Sequence, residues 1–203
     1  MTRPFAVAAL LGALVAIGAP VAAQSPMPMP SYRVMDLSGA RSVCEEKTGR
    51  VQAREAVFGT NGDRSTWLDL GRSIELCKFT AEDGSSIFVD TGTLASSGPT
   101  LASVAYLSQV PMPEYDPSKG NPATAYCAGL GASSAYGAGT GGGGWVDTAD
   151  ADVPVVAMCV FPDGSMIDEW GLAYHSDGTV RGADLAYEFV YAPTDGLPPI
   201  FGS

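Results

Sequence analysis

Few residues in this chain are equipped for covalent or acid–base chemistry, and their spacing decides which chemistry is open. Four cysteines fall in two pairs, Cys44 with Cys77 and Cys127 with Cys159, separated by 33 and 32 residues. Reduced, they could act as nucleophiles or metal ligands. At regular spacing in an exported chain they read as a disulfide framework, and oxidised sulfur does neither job. His175 is the sole histidine, which excludes two-histidine zinc motifs and leaves at most a general base. No G-x-S-x-G turn exists for it to serve, and its setting, HSDG, reads as a surface turn.

Carboxylates are plentiful, with Asp83 and Asp90 in the first half and Asp163, Asp168 and Glu169 in the second. Two of them at the right separation could hydrolyse a glycoside. Asp168 and Glu169, however, are neighbours on an expected strand, Ser165 to Trp170, and so point to opposite faces, while Asp163 is claimed by a turn. Asp147, Asp150 and Asp152 could attract calcium, but they lack the glycine and the closing glutamate of a calcium loop and read better as a solvated loop. No catalytic residue, metal site or cofactor is therefore expected. The residues best placed to face a ligand are Asp168, Glu169, Trp170 and His175. Trp170, with Phe161, is expected to fill the core; exposed, it would be a ligand platform.

The elements that must position these residues are written twice. SGARSVCEEKTG and NPATAYCAGLG are helix-like and end in a cysteine; CKFTAEDGSSIF and CVFPDGSMIDEW each hold a cysteine, an aromatic and an Asp-Gly-Ser turn. Asn121 and Pro122 start a helix to about Ala128, with Gly129 or Gly131 to close it. Ser38 starts its counterpart, which Gly49 closes by taking positive φ. Strands follow at Arg50 to Phe58, Ile74 to Phe79 and Ser86 to Asp90, then at Pro154 to Phe161 and Ser165 to Trp170. Asp83-Gly84 and Asp163-Gly164 form tight reversals, and Asn61-Gly62, Asp177-Gly178 and Asp195-Gly196 mark further turns. The fold class is α+β: two tandem small helix-plus-antiparallel-sheet units, each stapled by one disulfide.

The amino terminus carries Arg3, an apolar run from Phe5 to Ile17, Gly18 and Pro20, then Val21, Ala22 and Ala23. That order is a cleavable secretory signal, cut after Ala23, and the apolar run is shorter than the about 20 residues a membrane span needs. The domain organisation is a signal at 1–23, an extended leader at 24–36, a first, divergent cystine unit at 37–109, a proline-rich linker at 110–120, a second unit at 121–191 and an extended tail at 192–203. Ala132 to Gly144 reads as a glycine-rich flexible loop; no Lys with Ser or Thr follows to make it a phosphate cradle. The formal net charge is −11, and losing Arg3 makes the mature chain more acidic still. That opposes nucleic-acid and anionic-membrane partners, while the signal is expected to deliver the mature protein to a periplasm or outside the cell.

Four cysteines allow three pairings. Pairing within each unit, Cys44 with Cys77 and Cys127 with Cys159, would tie each helix to its strand and contribute about 3 to 4 kcal/mol in the chain-entropy model. Cross-pairing between units and free thiols are the alternatives.

NPATAYC followed by CVFPDGSMIDEW resembles a small bacterial domain of unknown function 333, found in exported proteins often labelled haemolysins. Its pattern runs Asn-Pro-Ala-Ser-x-x-Cys, a Gly-rich stretch, then Cys-x-Phe-Pro-Asp-Gly-Ser-x-Cys-x-Glu-Trp. The resemblance is close from Asn121 to about Asp177 and holds in outline from Ser38 to Asp90, with two extra residues before Asp83. Where the family pattern has a third cysteine this chain has Ile167, and no fourth appears near Asp177. Joint loss of that pair implies that Cys127 and Cys159 bond each other. The acidity and the lack of a basic amphipathic helix argue against membrane lysis. The expectation is an exported non-enzymatic protein that binds a protein partner and is inhibitor-like in build. A carboxylate hydrolase of envelope glycan and a purely structural envelope protein are the alternatives.

Overall fold

Helix α1 (Leu37–Glu46) and helix α4 (Pro122–Gly129) each bring a cysteine to the interior and end in the same way. Four residues past its cysteine the chain turns left-handed, at Thr48 (φ 63°) and at Gly131 (φ 77°). The next amide reaches back to the cysteine carbonyl: Gly49 N–H to Cys44 at 2.8 Å, Ala132 N–H to Cys127 at 3.0 Å. These bonds satisfy carbonyls that a helix end leaves open. The expectation that Gly49 takes positive φ is thus corrected, because Thr48 does. Gly49 is required for closeness: a Cβ there would lie 2.3 Å from Cys77 Sγ and 2.8 Å from Cys44 Sγ. Asn121 caps α4 by accepting from Ala123 N–H at 2.9 Å, whereas α1 begins at Leu37, which puts Ser38 inside its first turn.

The computed structural model describes residues 37–59, 62–135, 142–147, 149–150, 153–198 and 200–201. The expected signal and leader, Asn61, the centre of the glycine-rich loop at 136–141, Asp152 and the last two residues of the tail lie outside the described residues. The first half continues with β1 (Arg50–Gly59), β2 (Leu68–Thr80), β3 (Ser86–Asp90), α2 (Thr91–Ala95) and α3 (Leu101–Ser108). In the second half come β4 (Ser133–Ala135), β5 (Gly142–Val146), β6 (Met158–Val160), β7 (Met166–Asp168), α5 (Glu169–His175) and α6 (Leu185–Glu188). The fold is α+β, and the disulfides join Cys44 to Cys77 and Cys127 to Cys159. Two disulfides fit an oxidising compartment outside the cytoplasm. Among the described residues no helix is long and apolar enough to cross a membrane.

The two halves share one sheet. Its strands run antiparallel in the order β4-β6-β7-β3-β2-β1-β5: the block β1 to β3 of the first half meets the block β4, β6 and β7 of the second at β3 and β7, and β5 of the second half adds to β1 at the far edge. Only one residue pair, Val89 with Ile167, is in register at that seam. Side chains extend it. Asp168 Oδ2 accepts from Phe88 N–H at 3.1 Å, and Thr93 Oγ1 accepts from Met166 N–H at 3.1 Å. The turns reach across too: Asp163 Oδ2 and Ser165 Oγ accept from Leu101 N–H (2.8 Å) and Ala102 N–H (3.0 Å) at the start of α3, and Ser85 Oγ accepts from Gly182 N–H at 3.1 Å. First-turn helix amides have no partner of their own, so these acceptors remove a cost of burial.

One face of the sheet, carrying Cys77, Phe79, Ile87, Val89, Cys159 and Ile167, packs under the helices against Leu94, Tyr106, Tyr126, Leu172 and Leu185. The other face, carrying Ala56, Leu76, Met158 and Met166, is covered by no helix among the described residues; Trp145 and Val156 pack on it instead. Trp145 lies in the outermost strand, β5, yet bridges to Val156, just before β6 near the opposite edge. The sheet therefore curls over its helix-free side. A bulge in β2, where Gly71 takes φ 62° and its N–H reaches Asp69 Oδ1 at 2.7 Å, steepens that curl.

The expected strand Ser165 to Trp170 is corrected: it stops at Asp168, whose Oδ1 accepts from Gly171 N–H at 2.8 Å and starts α5. Asp-Glu-Trp-Gly is a helix start, with a capping carboxylate and an acid in the first turn. Helices α2, α3 and α6 are additions to the sequence reading.

Gly49→Ala is expected to prevent closure of the Cys44–Cys77 bond and to cost about 2 to 5 kcal/mol. Gly129→Ala, where nothing lies within 4 Å of the added Cβ, should be neutral or slightly stabilising. Thiol titration of the denatured proteins and denaturant melts check both.

Candidate functional site

The helix-free face of the sheet holds a cleft of about 300 Å³. Strands β1, β2 and β3 supply Arg54, Lys78, Ser86 and Phe88. The limb Val153 to Ala157, returning from β5 to β6, supplies a second wall, and Asp168, Trp170 and Arg181 complete the lining. Register explains the floor: Lys78 sits directly opposite Phe88 across β2 and β3, and its Nζ lies 5.5 Å from the ring centroid. The Arg54 guanidinium lies at the same distance from the same ring, 5.5 Å. Arg181 stacks on Tyr174 at 4.9 Å. Cations over aromatic faces are attracted by the ring quadrupole, which fixes these flexible side chains.

Arg54 is the unusual group. It is wholly buried, 0% exposed. Nη1 donates to the Pro154 carbonyl at 3.2 Å and Nη2 to Gln52 Oε1 at 2.7 Å, while Nε is buried without a partner, as is Nε of Arg181. Burial pulls the Arg54 pKa below the usual guanidinium value, and the charge of Asp147 pushes it back. Among the described residues no carboxylate oxygen lies within 4 Å of Arg54, Lys78 or Arg181. Burying a cation is costly; the two hydrogen bonds, the Phe88 ring and the charge of Asp147 offset part of that cost, and an anion in the cleft would offset more.

Asp168 is the one carboxyl group among the residues lining this cleft. It is 8% exposed, with both oxygens engaged by the amides of Gly171 and Phe88. Burial raises its pKa to about 6, against the opposing pull of those amides and of the Arg181 charge. The cleft thus inverts the sign of the protein: three of the eleven Lys and Arg residues of an acidic chain converge on it.

Of the four residues expected to face a ligand, the structure brings two together. Asp168 and Trp170 line the cleft. Trp170 is 41% exposed, which corrects its expected place in the core. In a helix Gly171, Leu172, Ala173 and His175 turn inward, and Trp170 and Tyr174, four apart, share the outer side, with ring centroids 5.6 Å apart. Phe161 is buried as expected.

Glu169 and His175 point elsewhere. Glu169 is fully buried against α4, where Oε2 accepts from Thr124 Oγ1 at 3.1 Å and Ser134 also faces it; burial raises its pKa. His175, expected in a surface turn, is only 5% exposed. It stacks on Tyr106 at 3.6 Å, and its Nε2 lies 3.1 Å from Gln109 Nε2. Burial lowers its pKa.

Asp168 and Glu169 therefore face different spaces and do not form the carboxylate pair a glycosidase needs. A second hollow holds Glu75 and Asp90, but Glu75 is paired with Arg41 and Asp90 caps α2 through Thr93 N–H at 2.9 Å. Among the described residues no group of three or more His, Cys, Asp or Glu could hold a metal. Sequence reasoning missed Arg54, Lys78, Phe88 and Arg181. Strand alternation could have put the first three on one face, but nothing local announced Arg181.

A carboxyl raised from 3.8 to about 6 favours folding while protonated. Its contribution is fully present below pH 3.8 and is lost as pH rises through about 6. Two pKa units correspond to about 3 kcal/mol. Asp168→Asn, which keeps a capping oxygen, should therefore show a shallower fall in stability across that window than the parent; midpoints of urea unfolding measured at each pH check this.

No curated protein and no solved structure matches this chain. The limb Val153 to Ala157, Asp168 and Trp170 belong to a segment with a known likeness, whereas Arg54, Lys78, Phe88 and Arg181 lie outside it. Residues 118–176 match the model of the family described as Domain of unknown function (DUF333).

Proposed function

We propose that the protein is an exported, non-catalytic binding protein that holds part of a protein partner in the cleft on its helix-free face. The observation that carries this reading is the cleft itself: an aromatic floor and an exposed Trp170, ringed by three cations that have no carboxylate oxygen within 4 Å among the described residues. Concave, largely apolar sites with a few convergent polar groups are where ligands bind. The lone carboxyl in the cleft supports binding over hydrolysis, since Asp168 has no second carboxyl beside it.

A divergent second copy of the matched domain at residues 37–109 belongs to the same reading. Equivalent cysteines, equivalent left-handed turns after α1 and α4, and equivalent Asp-Gly-Ser reversals support it; Gly84 and Gly164 both take φ 82°. Val89 and Ile167, which pair at the seam, then occupy matching positions in the two copies. Duplication supplies the cleft with walls from both copies.

Crosslinked affinity capture of the mature chain, 24–203, from its native envelope extract tests the proposal, with Trp170→Ala and Lys78→Gln chains run in parallel. The expected result is one enriched partner whose yield falls about tenfold or more with Trp170→Ala, as for a buried aromatic anchor. Equal yield from parent and variants would remove the cleft from the interaction, and turnover of envelope glycan lost with Asp168→Asn would overturn the non-catalytic reading.

A further inference from the structure

We infer that what the cleft recognises is a carboxylate carried on an aromatic or other apolar body, seated with its apolar part against Phe88 and Trp170 and its charge toward Lys78 and Arg181. The inference rests on the binding reading and names the chemistry of that same site.

Three features define the chemistry. The first is charge. Arg54 places a positive charge behind the floor, wholly buried, in a low-dielectric wall that strengthens its field in the cleft. Lys78 and Arg181 are half-buried at the mouth and positioned to donate directly. The second is the apolar lining. Val153, Pro154, Val155, Val156 and Ala157 face Phe88 and Trp170, so a small hydrated ion fills little of the space and leaves that surface wet.

The third is the form of the anion. The two terminal nitrogens of Arg54 are already engaged by Pro154 and Gln52, so Arg54 acts on an anion chiefly through its charge and leaves direct donation to Lys78 and Arg181. A carboxylate on an apolar body uses both these donors and the apolar lining, whereas inorganic phosphate uses the donors alone. Such a carboxylate could end a peptide chain or belong to a free aromatic acid.

The test is a titration of the isotope-labelled full chain followed at the Arg Nε–H and Trp170 indole N–H resonances. Four probes are compared: N-acetyl-L-phenylalanine, its amide, a pentapeptide ending in phenylalanine with a free carboxylate, and inorganic phosphate. The expected result is a saturable shift with the two acids, at least about tenfold weaker binding of the amide, and a similar loss with Lys78→Gln or Arg181→Gln, each an omitted charge-assisted contact. Tighter binding of the pentapeptide than of N-acetyl-L-phenylalanine would make a chain terminus the source; equal binding would make it a small aromatic acid.

Equal affinity for acid and amide, preference for phosphate, or no saturable shift with any probe would overturn the inference. Lys78→Gln and Arg181→Gln lie at the mouth of the cleft, so they separate recognition from folding where Arg54→Gln would not. A partner captured in a Trp170-dependent manner by a protein that ignores all four probes would leave the binding reading standing without this chemistry.

Discussion

The structure depends on the seam between β3 and β7. A single registered pair, Val89 with Ile167, is little on which to join two blocks of strands. The joint holds because polar side chains carry the ladder beyond the backbone: Asp168 takes the Phe88 amide, Thr93 takes the Met166 amide, and Asp163 and Ser165 meet the first amides of α3. Each bond satisfies a donor that closing the seam would otherwise leave unpaired, so the seam is favourable only if all of them form together. Around it the apolar residues of both halves merge into one core, from Cys44 and Val89 to Ile167 and Leu172. Each disulfide pins one helix to its own block, while the seam, the shared core and the pairing of β5 with β1 join the two halves.

The cleft is a consequence of that joint. Its floor belongs to β1, β2 and β3, its rim to β7 and α5, and its wall to a limb that crosses from the far edge of the sheet. Asp168 shows the coupling in one side chain: it caps α5, takes a seam amide and lines the cleft. Such a carboxyl cannot also move freely as an acid or base without loosening the seam, which makes this wall of the cleft rigid. Arg54 is held in the same spirit, by Pro154 of the crossing limb and Gln52 of its own strand. Those two bonds and the Phe88 ring offset the cost of its burial.

Much of the scaffold was legible in the residues because it is local. The caps at Asn121, the Asp-Gly turns and the cysteine spacing all depend on groups a few residues apart, and the strand Ser86–Asp90 lies where expected. The misreadings share a cause. At Asp168-Glu169-Trp170 the alternation of a strand was extended into residues whose own signal, a capping Asp and an acid in the first turn, starts a helix. That change of period moved Trp170 outward and His175 inward. Gly49 was assigned a conformational role because the approach of the Cys77 sulfur, 28 residues away in sequence, has no local mark. The cleft was illegible for the same reason in stronger form: Arg54, Lys78 and Arg181 meet only through cross-strand register, a curled sheet and the chain that follows α5.

The central claim is that two cystine-stapled halves fold as one body, so that a cleft built from both has fixed walls. Differential scanning calorimetry of the oxidised mature protein tests this most directly. A single transition whose calorimetric and van't Hoff enthalpies agree is the predicted result, because neither half can keep its seam amides or its share of the core without the other. Two resolved transitions, or a van't Hoff enthalpy near half the calorimetric value, would mean that the halves melt independently and would contradict the account.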